Sequence, residues 1–253
     1  FAKYQGTGND FVMLNNMNKQ YDDLSIRQIQ FLCSRKIGIG ADGLIKLSSR
    51  DNFDFEVEYY NSDGSQSFCG NGARCAVAFA KELGLIELKA NFLAIDGRHN
   101  ATIKDGVVEI EMMPVLKIEQ IKDAFFLDTG SPHFVKIVGS ENDLDIVEFG
   151  REIRFSEKFK KDGVNVNLLT IQDNNEISVS TYERGVEDET LSCGTGVTAC
   201  ALVYIFNAES PINEAITIHT KGGILTVKSD IYNSQKGFDN ISLSGPAKHV
   251  YDG

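Results

Sequence analysis

The chain has 253 residues, 42% of them hydrophobic, and a formal net charge of -11, enough to bury a sizeable core in one large domain or in two smaller ones. A negative field of this size excludes nucleic acid and anionic membrane surfaces as partners, since both are repelled at long range, and leaves a small polar substrate open. No apolar run approaches the roughly 18 residues of a membrane span, and Phe1-Ala2-Lys3-Tyr4-Gln5-Gly6 lacks the apolar stretch of a secretory signal, so the chain reads as cytoplasmic.

Taken in chain order, a first helix is expected from Ser25, with Ile26, Ile29, Phe31, Leu32 and Cys33 supplying an inner face. Residues 53–59 alternate with the period of two of a half-buried strand and run into a polar loop that ends at Cys69-Gly70-Asn71-Gly72. Residues 73–83 then read as a helix closing at Gly84. The same sequence of events returns later: an alternating strand over 177–182, a polar loop ending at Cys193-Gly194-Thr195-Gly196, and a helix over 197–207 that is apolar nearly all round. Helices of that kind are expected to be wrapped by sheet.

Further blocks recur in the same order. Thr7-Gly8-Asn9-Asp10-Phe11-Val12 is echoed by Thr129-Gly130-Ser131-Pro132-His133-Phe134-Val135, Gly38-Ile39-Gly40-Ala41-Asp42 by Gly163-Val164-Asn165-Val166-Asn167, and Asp96-Gly97-Arg98 by Lys221-Gly222-Gly223. With the two Cys-Gly-x-Gly runs, the offsets are 122, 125, 124 and 125 residues. Four matches in order at nearly one spacing imply a duplicated unit. The expected fold is α+β with two pseudo-symmetric homologous domains, residues 1–118 carrying Cys69 and 119–253 carrying Cys193, each a mostly antiparallel sheet or barrel around a central helix.

Five cysteines, an odd number without a secretory signal, fit a reducing compartment in which thiols stay free. Their spacings are not those of zinc knuckles. Cys69 and Cys193 each precede a helix, where unpaired N–H groups and the macrodipole favour a thiolate and an anionic ligand. Two thiolates around one anion repel, so one thiolate and one thiol are expected together. That pair suits inversion of a stereocentre: one sulfur removes a proton from one face of a carbon and the other returns one to the opposite face. Cys33, Cys75 and Cys200 read as core packing.

Asn61-Ser62-Asp63-Gly64-Ser65 followed by Cys69-Gly70-Asn71-Gly72-Ala73-Arg74-Cys75 closely resembles the signature of diaminopimelate epimerases. So do Gly8-Asn9-Asp10-Phe11, Tyr182-Glu183-Arg184-Gly185 before Cys193-Gly194-Thr195-Gly196, and Tyr251-Asp252-Gly253. The resemblance covers the whole chain. It implies interconversion of LL- and meso-diaminopimelate, without pyridoxal phosphate, other cofactor or metal, by a homodimer in lysine and cell-wall precursor synthesis. It makes Cys69 and Cys193 the acid/base pair, and puts backbone N–H groups of Gly70, Asn71, Gly194 and Thr195 on the reacting carboxylate. Asn9, Asn61, Asn165 and Arg184 would grip the substrate, with Glu183 beside it; Glu183 and His133 would tune the cysteines, and Tyr251 would make a dimer contact. Ser131 stands where the pattern has Asn, and Gly43 where it often has Gln.

Three other readings compete. A two-cysteine racemase acting on proline or hydroxyproline would share the thiols and the fold. A thiol redox switch would join Cys69 to Cys193 in a reversible disulfide. A catalytically silent phosphate-binding module would use the two Gly-rich helix starts, although neither is followed by the Lys of a P-loop.

Overall fold

The computed structural model describes residues 1–139, 144–208, 212 and 214–253. The chain divides into two compact units, one of residues 1–111 with 244–253 and one of residues 112–243.

The first unit opens with a hairpin of β1 (Ala2–Gly6) and β2 (Asn9–Asn16). Its two-residue turn holds Thr7 and Gly8 at φ 50° and 85°, the pair of positive values that matches the twist of the flanking strands. β2 crosses through α1 (Ile26–Cys33) to the parallel β3 (Gly43–Ser48), which turns into the antiparallel β4 (Phe55–Asn61). β4 crosses through α2 (Gly70–Glu82) to the parallel β5 (Lys89–Ala94), and β6 (Gly97–Lys104) and β7 (Val107–Glu111) complete an antiparallel meander.

In the second unit, β8 (Glu119–Ile121) leads into the same order of ladders. β9 (Ala124–Asp128) lies antiparallel to β10 (Pro132–Val138), which crosses through α3 (Ile146–Arg154) to the parallel β11 (Asn165–Asp173). β12 (Glu176–Glu183) is antiparallel to β11 and carries the short β13 (Asp188–Thr190). From β12 the chain crosses through α4 (Gly194–Asn207) to the parallel β14 (Ile216–Thr220) and its antiparallel partner β15 (Gly223–Lys228). β16 (Ser242–Pro246) and β17 (Lys248–Asp252) end the chain. Because β17 pairs with β1, the last ten residues join the first compact unit, and residues 112–118 join the second.

Each unit uses its two helices differently. α1 lies on one face of its sheet, closing a cluster of Val12, Leu14, Ile29, Cys33, Ala41 and Leu44. α3 does the same with Phe134, Ile146, Val164, Val166, Leu168 and Tyr182. α2 meets β1, β2, β3, β4, β6, β7 and β17, and α4 meets β9, β10, β11, β12, β14 and β15, so the sheet of each unit curls around one helix. This is why β2 carries the unbroken buried apolar run Phe11-Val12-Met13-Leu14: both its faces are covered.

Ser25 caps α1 through a reciprocal capping box with Gln28. The expected inner face is narrower than the five residues named for it: Ile29 and Cys33 are buried, while Ile26 and Phe31 are more than half exposed. Strand registers also move one repeat. Phe11 lies opposite Gly43, and Phe134 opposite Val166. Gly40 therefore corresponds to Gly163, both with positive φ (82° and 78°), and Asp42 corresponds to Asn165, two positions away from the match read in the sequence.

Candidate active site

In the first unit the polypeptide is extended at Cys69 (φ -132°, ψ 111°) and helical from Gly70, making Cys69 the N-cap of α2. Its Sγ accepts the Gly72 N–H at 3.4 Å and donates to Asn9 Oδ1 at 3.7 Å. Asn9 holds its amide by donating to Asp42 Oδ2 at 2.6 Å, and since a carboxylate only accepts, this fixes which end of the amide faces Cys69. Asn71 donates to Asn9 Oδ1 at 3.4 Å, while its own Oδ1 accepts from Arg74 Nη2 at 2.8 Å. Gly72 is closely packed: a Cβ there would lie 3.1 Å from Ile45 Cδ1, which would have to give by a few tenths of an ångström, and 3.5 Å from Phe11 Cε1, an ordinary contact. Cys69 is half-buried, whereas Gly70, Asn71 and Gly72 are buried.

In the second unit Cys193 is the N-cap of α4 with nearly the same backbone angles (φ -119°, ψ 114°), and it is buried. Gly196 is demanded by crowding, with Asn167 Oδ1 only 2.6 Å from where its Cβ would stand. Behind Cys193 lies a chain of neutral groups. Asn167 Nδ2 donates to the Phe134 carbonyl at 3.2 Å and meets His133 Nδ1 at 3.1 Å. A carbonyl can only accept, so the amide orientation is set, His133 Nδ1 accepts, and its proton sits on Nε2. His133 Nε2 then donates to Thr195 Oγ1 at 2.9 Å, which leaves the Thr195 hydroxyl proton for Cys193 Sγ at 3.5 Å. His133 is fully enclosed; burial and the charge of Arg184 push its pKa down to about 3, and the imidazole is neutral at pH 7.

Asn165, the first residue of β11, spends its amide nitrogen on Ser131 Oγ at 2.9 Å and its oxygen on the Arg184 backbone N–H at 2.8 Å. Ser131, in place of the Asn of the resembling pattern, thus anchors Asn165. Arg184 is exposed; its Nη1 donates to the Asp162 carbonyl at 2.8 Å, and its Cδ lies where a Cβ on Gly163 would intrude at 2.4 Å. Glu183 ends β12 beside it, half-buried. Asn61 ends β4 and donates to Ser65 Oγ at 3.0 Å and Ser67 Oγ at 3.3 Å, so its amide folds the following loop back on itself.

Tyr59 was missed in the sequence. A side chain at Gly43 would collide with Tyr59 Cε2 at 2.4 Å, and the Tyr59 hydroxyl donates to Asn61 Oδ1 at 2.8 Å. The Tyr59 ring, from the neighbouring strand, fills the space that a side chain at position 43 would need. Nothing in the sequence signals it, since only the pairing of β3 with β4 brings Tyr59 and Gly43 together.

Among the described residues, Glu82, His249 and Asp252 are grouped closely enough to hold a metal ion. All three are exposed, and Glu82 is the last residue of α2, roughly 18 Å along the helix from its start. Tyr251 lies on β17, 44% exposed, edge-on to Phe1 at 6.0 Å. No helix among the described residues is long and apolar enough to cross a membrane.

A family model described as diaminopimelate epimerase matches residues 1–116 and 125–250. A diaminopimelate epimerase of Flavobacterium psychrophilum is 45% identical over 252 residues, covering 99% of this chain and 97% of that protein. One from Aquifex aeolicus is 35% identical over 276 residues, covering 100% and 96%. Among solved structures, a Bacillus anthracis PhzF-family phenazine biosynthesis protein superposes with a TM-score of 0.76 at 12% identity, covering 99% of this chain and 96% of that one. A hydroxyproline epimerase from Agrobacterium vitis superposes with a TM-score of 0.71 at 13% identity, covering 99% and 90%. The two structures establish the fold alone.

Proposed function

The chain belongs to the diaminopimelate epimerase family, and from that premise we propose that it interconverts LL- and meso-diaminopimelate by passing the α-proton between Cys69 and Cys193. One sulfur, as thiolate, removes the proton from one face of the α-carbon. The other, as thiol, delivers a proton to the opposite face. Product release leaves the protonation states exchanged, so the reverse reaction uses the same groups in opposite roles. The N–H groups of Gly70, Asn71, Gly194 and Thr195 hold the α-carboxylate and spread the charge that develops on the carbanion. Asn9, Asn61, Asn165, Glu183 and Arg184 bind the remaining amino and carboxylate groups, Arg184 offering the fork that suits a carboxylate. His133 tunes Cys193 through the Thr195 hydroxyl. Tyr251 on β17 lies in the contact of a homodimer acting in the cytoplasm, in lysine and peptidoglycan precursor synthesis.

The observation that carries this reading is that each cysteine caps a buried helix with its sulfur in a hydrogen bond, Cys69 with Gly72 and Asn9, Cys193 with Thr195. Incubating the reduced protein with pure LL-diaminopimelate in deuterium oxide should incorporate solvent deuterium at one α-carbon and give the meso isomer on chiral analysis. Exchange into proline or hydroxyproline instead would replace this substrate with that of the related racemases, and no exchange into any amino acid would leave the redox reading.

A further inference from the structure

Arg74 is the largest fully buried side chain of the molecule, and the proton transfers above do not use it. Its guanidinium turns back along α2 toward the helix start, the direction that helical side chains favour. Nη2 donates to Asn71 Oδ1 at 2.8 Å and to Thr7 Oγ1 at 3.1 Å, Nη1 approaches the Gly70 carbonyl at 3.5 Å, and Nε has no partner. The last residue of β1 seals it from the other side, with a Cβ on Gly6 reaching to within 3.5 Å of Nη2. No carboxylate is paired with it in the described residues, although a buried cation ordinarily requires one.

Two thiols interact electrostatically with it, Cys69 and Cys75. Cys75 is completely enclosed, and burial pushes its thiol well up, so it stays neutral. Cys69, by contrast, is only half-buried. The other charged or titratable groups around this helix start already have partners. Asp42 is held by Asn9 and Arg35, Asp10 by Lys3 and Arg35, His99 by Asp96 behind the Phe68 ring, Tyr59 by Asn61, and Tyr4 by Glu82. β7 contributes the buried apolar Val108 and Ile110.

We propose that Arg74 is a positioning residue for Cys69: from the first turn of α2 its buried charge, which has no carboxylate partner among the described residues, favours the Cys69 thiolate, and its fork fixes the Asn71 amide with oxygen inward and nitrogen toward Asn9, the residue that Cys69 Sγ meets. This rests on the reading of Cys69 as an acid/base group. It accounts for a desolvated guanidinium whose compensating charge exists only when that sulfur ionises. Thr7, held in the β1–β2 turn, completes the arrangement by accepting from Nη2 through its hydroxyl.

The test is the pH dependence of iodoacetamide alkylation, with Cys69 and Cys193 followed separately by peptide mass spectrometry. In Arg74→Gln, which keeps a donor for Asn71 but no charge, the Cys69 profile should move to higher pH, slowing its alkylation at pH 7 by roughly tenfold, one pKa unit's worth. Cys193 should stay within twofold of its parent rate. An unshifted Cys69 profile in folded Arg74→Gln overturns the proposal, as does an equal shift at both sulfurs. Arg74→Lys restores charge without the fork: Cys69 reactivity should return to within twofold while KM rises about fivefold. If the Gln variant does not fold, the Lys variant decides alone, and an unchanged KM there overturns the proposal. Alkylation reads Cys69 whether or not diaminopimelate is turned over, so absent α-proton exchange in the parent would remove the epimerase reading without being mistaken for failure of this one.

Discussion

At the start of α2 the groups around Cys69 carry formal charge, with Arg74 beneath the first turn and Asp42 behind Asn9. At the start of α4 the groups behind Cys193 are neutral: Thr195, His133, Asn167 and Thr181. The frames match closely. Both cysteines are extended N-caps, and both glycines three residues on pack closely against the enclosing strands, Gly196 the more tightly. The position five residues beyond each cysteine faces the same carbonyl, yet it is Arg74 near the Gly70 oxygen in one unit and Thr198 on the Gly194 oxygen, at 2.9 Å, in the other. A duplicated backbone puts each sulfur at a helix start. The side chains around the two sulfurs differ, so on the proposed mechanism two groups that exchange acid and base roles are not tuned by the same means.

Removing either sulfur breaks the comparison outright. Cys69→Ala and Cys193→Ala should each lower epimerisation by at least about 10³-fold, the scale of one acid/base group, measured as meso product formed from LL substrate. Serine at one position should leave slow exchange from a single face. Full activity in Cys193→Ala would end the two-base mechanism. Thr195→Val probes the neutral side: it leaves the His133 Nε2–H unpaired in a buried site, with an expected loss of about 1–3 kcal/mol. Cys193 alkylation should slow while Cys69 alkylation does not change, and a change at both sulfurs would mean a global distortion.

His133 sharpens the comparison through pH. Burial and the Arg184 charge hold its folded pKa at about 3, whereas the unfolded chain titrates near the ordinary 6.5. Between these values the unfolded state binds the extra proton, so this contribution to stability is complete above about pH 6.5 and is lost as pH falls toward 3. The slope reaches at most about 1.4 kcal/mol per pH unit. Denaturant unfolding over this range should show the slope in the parent and a shallower one in His133→Gln. Equal slopes would mean that His133 is protonated in the folded protein.

The sequence revealed most where a residue type had a strict local reason. Cys-Gly-x-Gly before an apolar helix located both sulfurs, because helix starts and crowded glycines leave little alternative. The two-residue displacement between Gly40 and Gly163 was hidden because Gly38 also fits the pattern; only the strand register separates them. α3 was not anticipated, although Asp145 caps its first turn through Val147 and Glu148. The return of β17 to β1 was equally hidden, since pairing of Ala2 with Asp252 and Gln5 with Lys248, at opposite ends of the chain, leaves no local mark. His133 and Thr195 were individually visible, but their connection through Asn167 depends on hydrogen bonds between residues more than 30 apart in the chain.

The smallest effect expected concerns substrate grip in the first unit. Tyr59→Phe removes the donor to Asn61 Oδ1, at a loss of about 1 kcal/mol typical of a single hydrogen bond, and frees the Asn61 amide to turn. KM should rise about twofold to threefold, with kcat nearly unchanged, if Asn61 grips substrate as proposed and moves no proton. Gly43→Gln alone should destabilise the protein, since its first carbon would strike the Tyr59 ring and the Tyr60 carbonyl at 2.4 and 2.6 Å. Joined to Tyr59→Val, the same glutamine gains the volume left by the ring, and the double variant should recover part of the melting temperature lost by Gly43→Gln. If the two substitutions were simply additive in stability, Tyr59 and Gly43 would be independent, and the tyrosine could not be a replacement for a polar side chain at position 43.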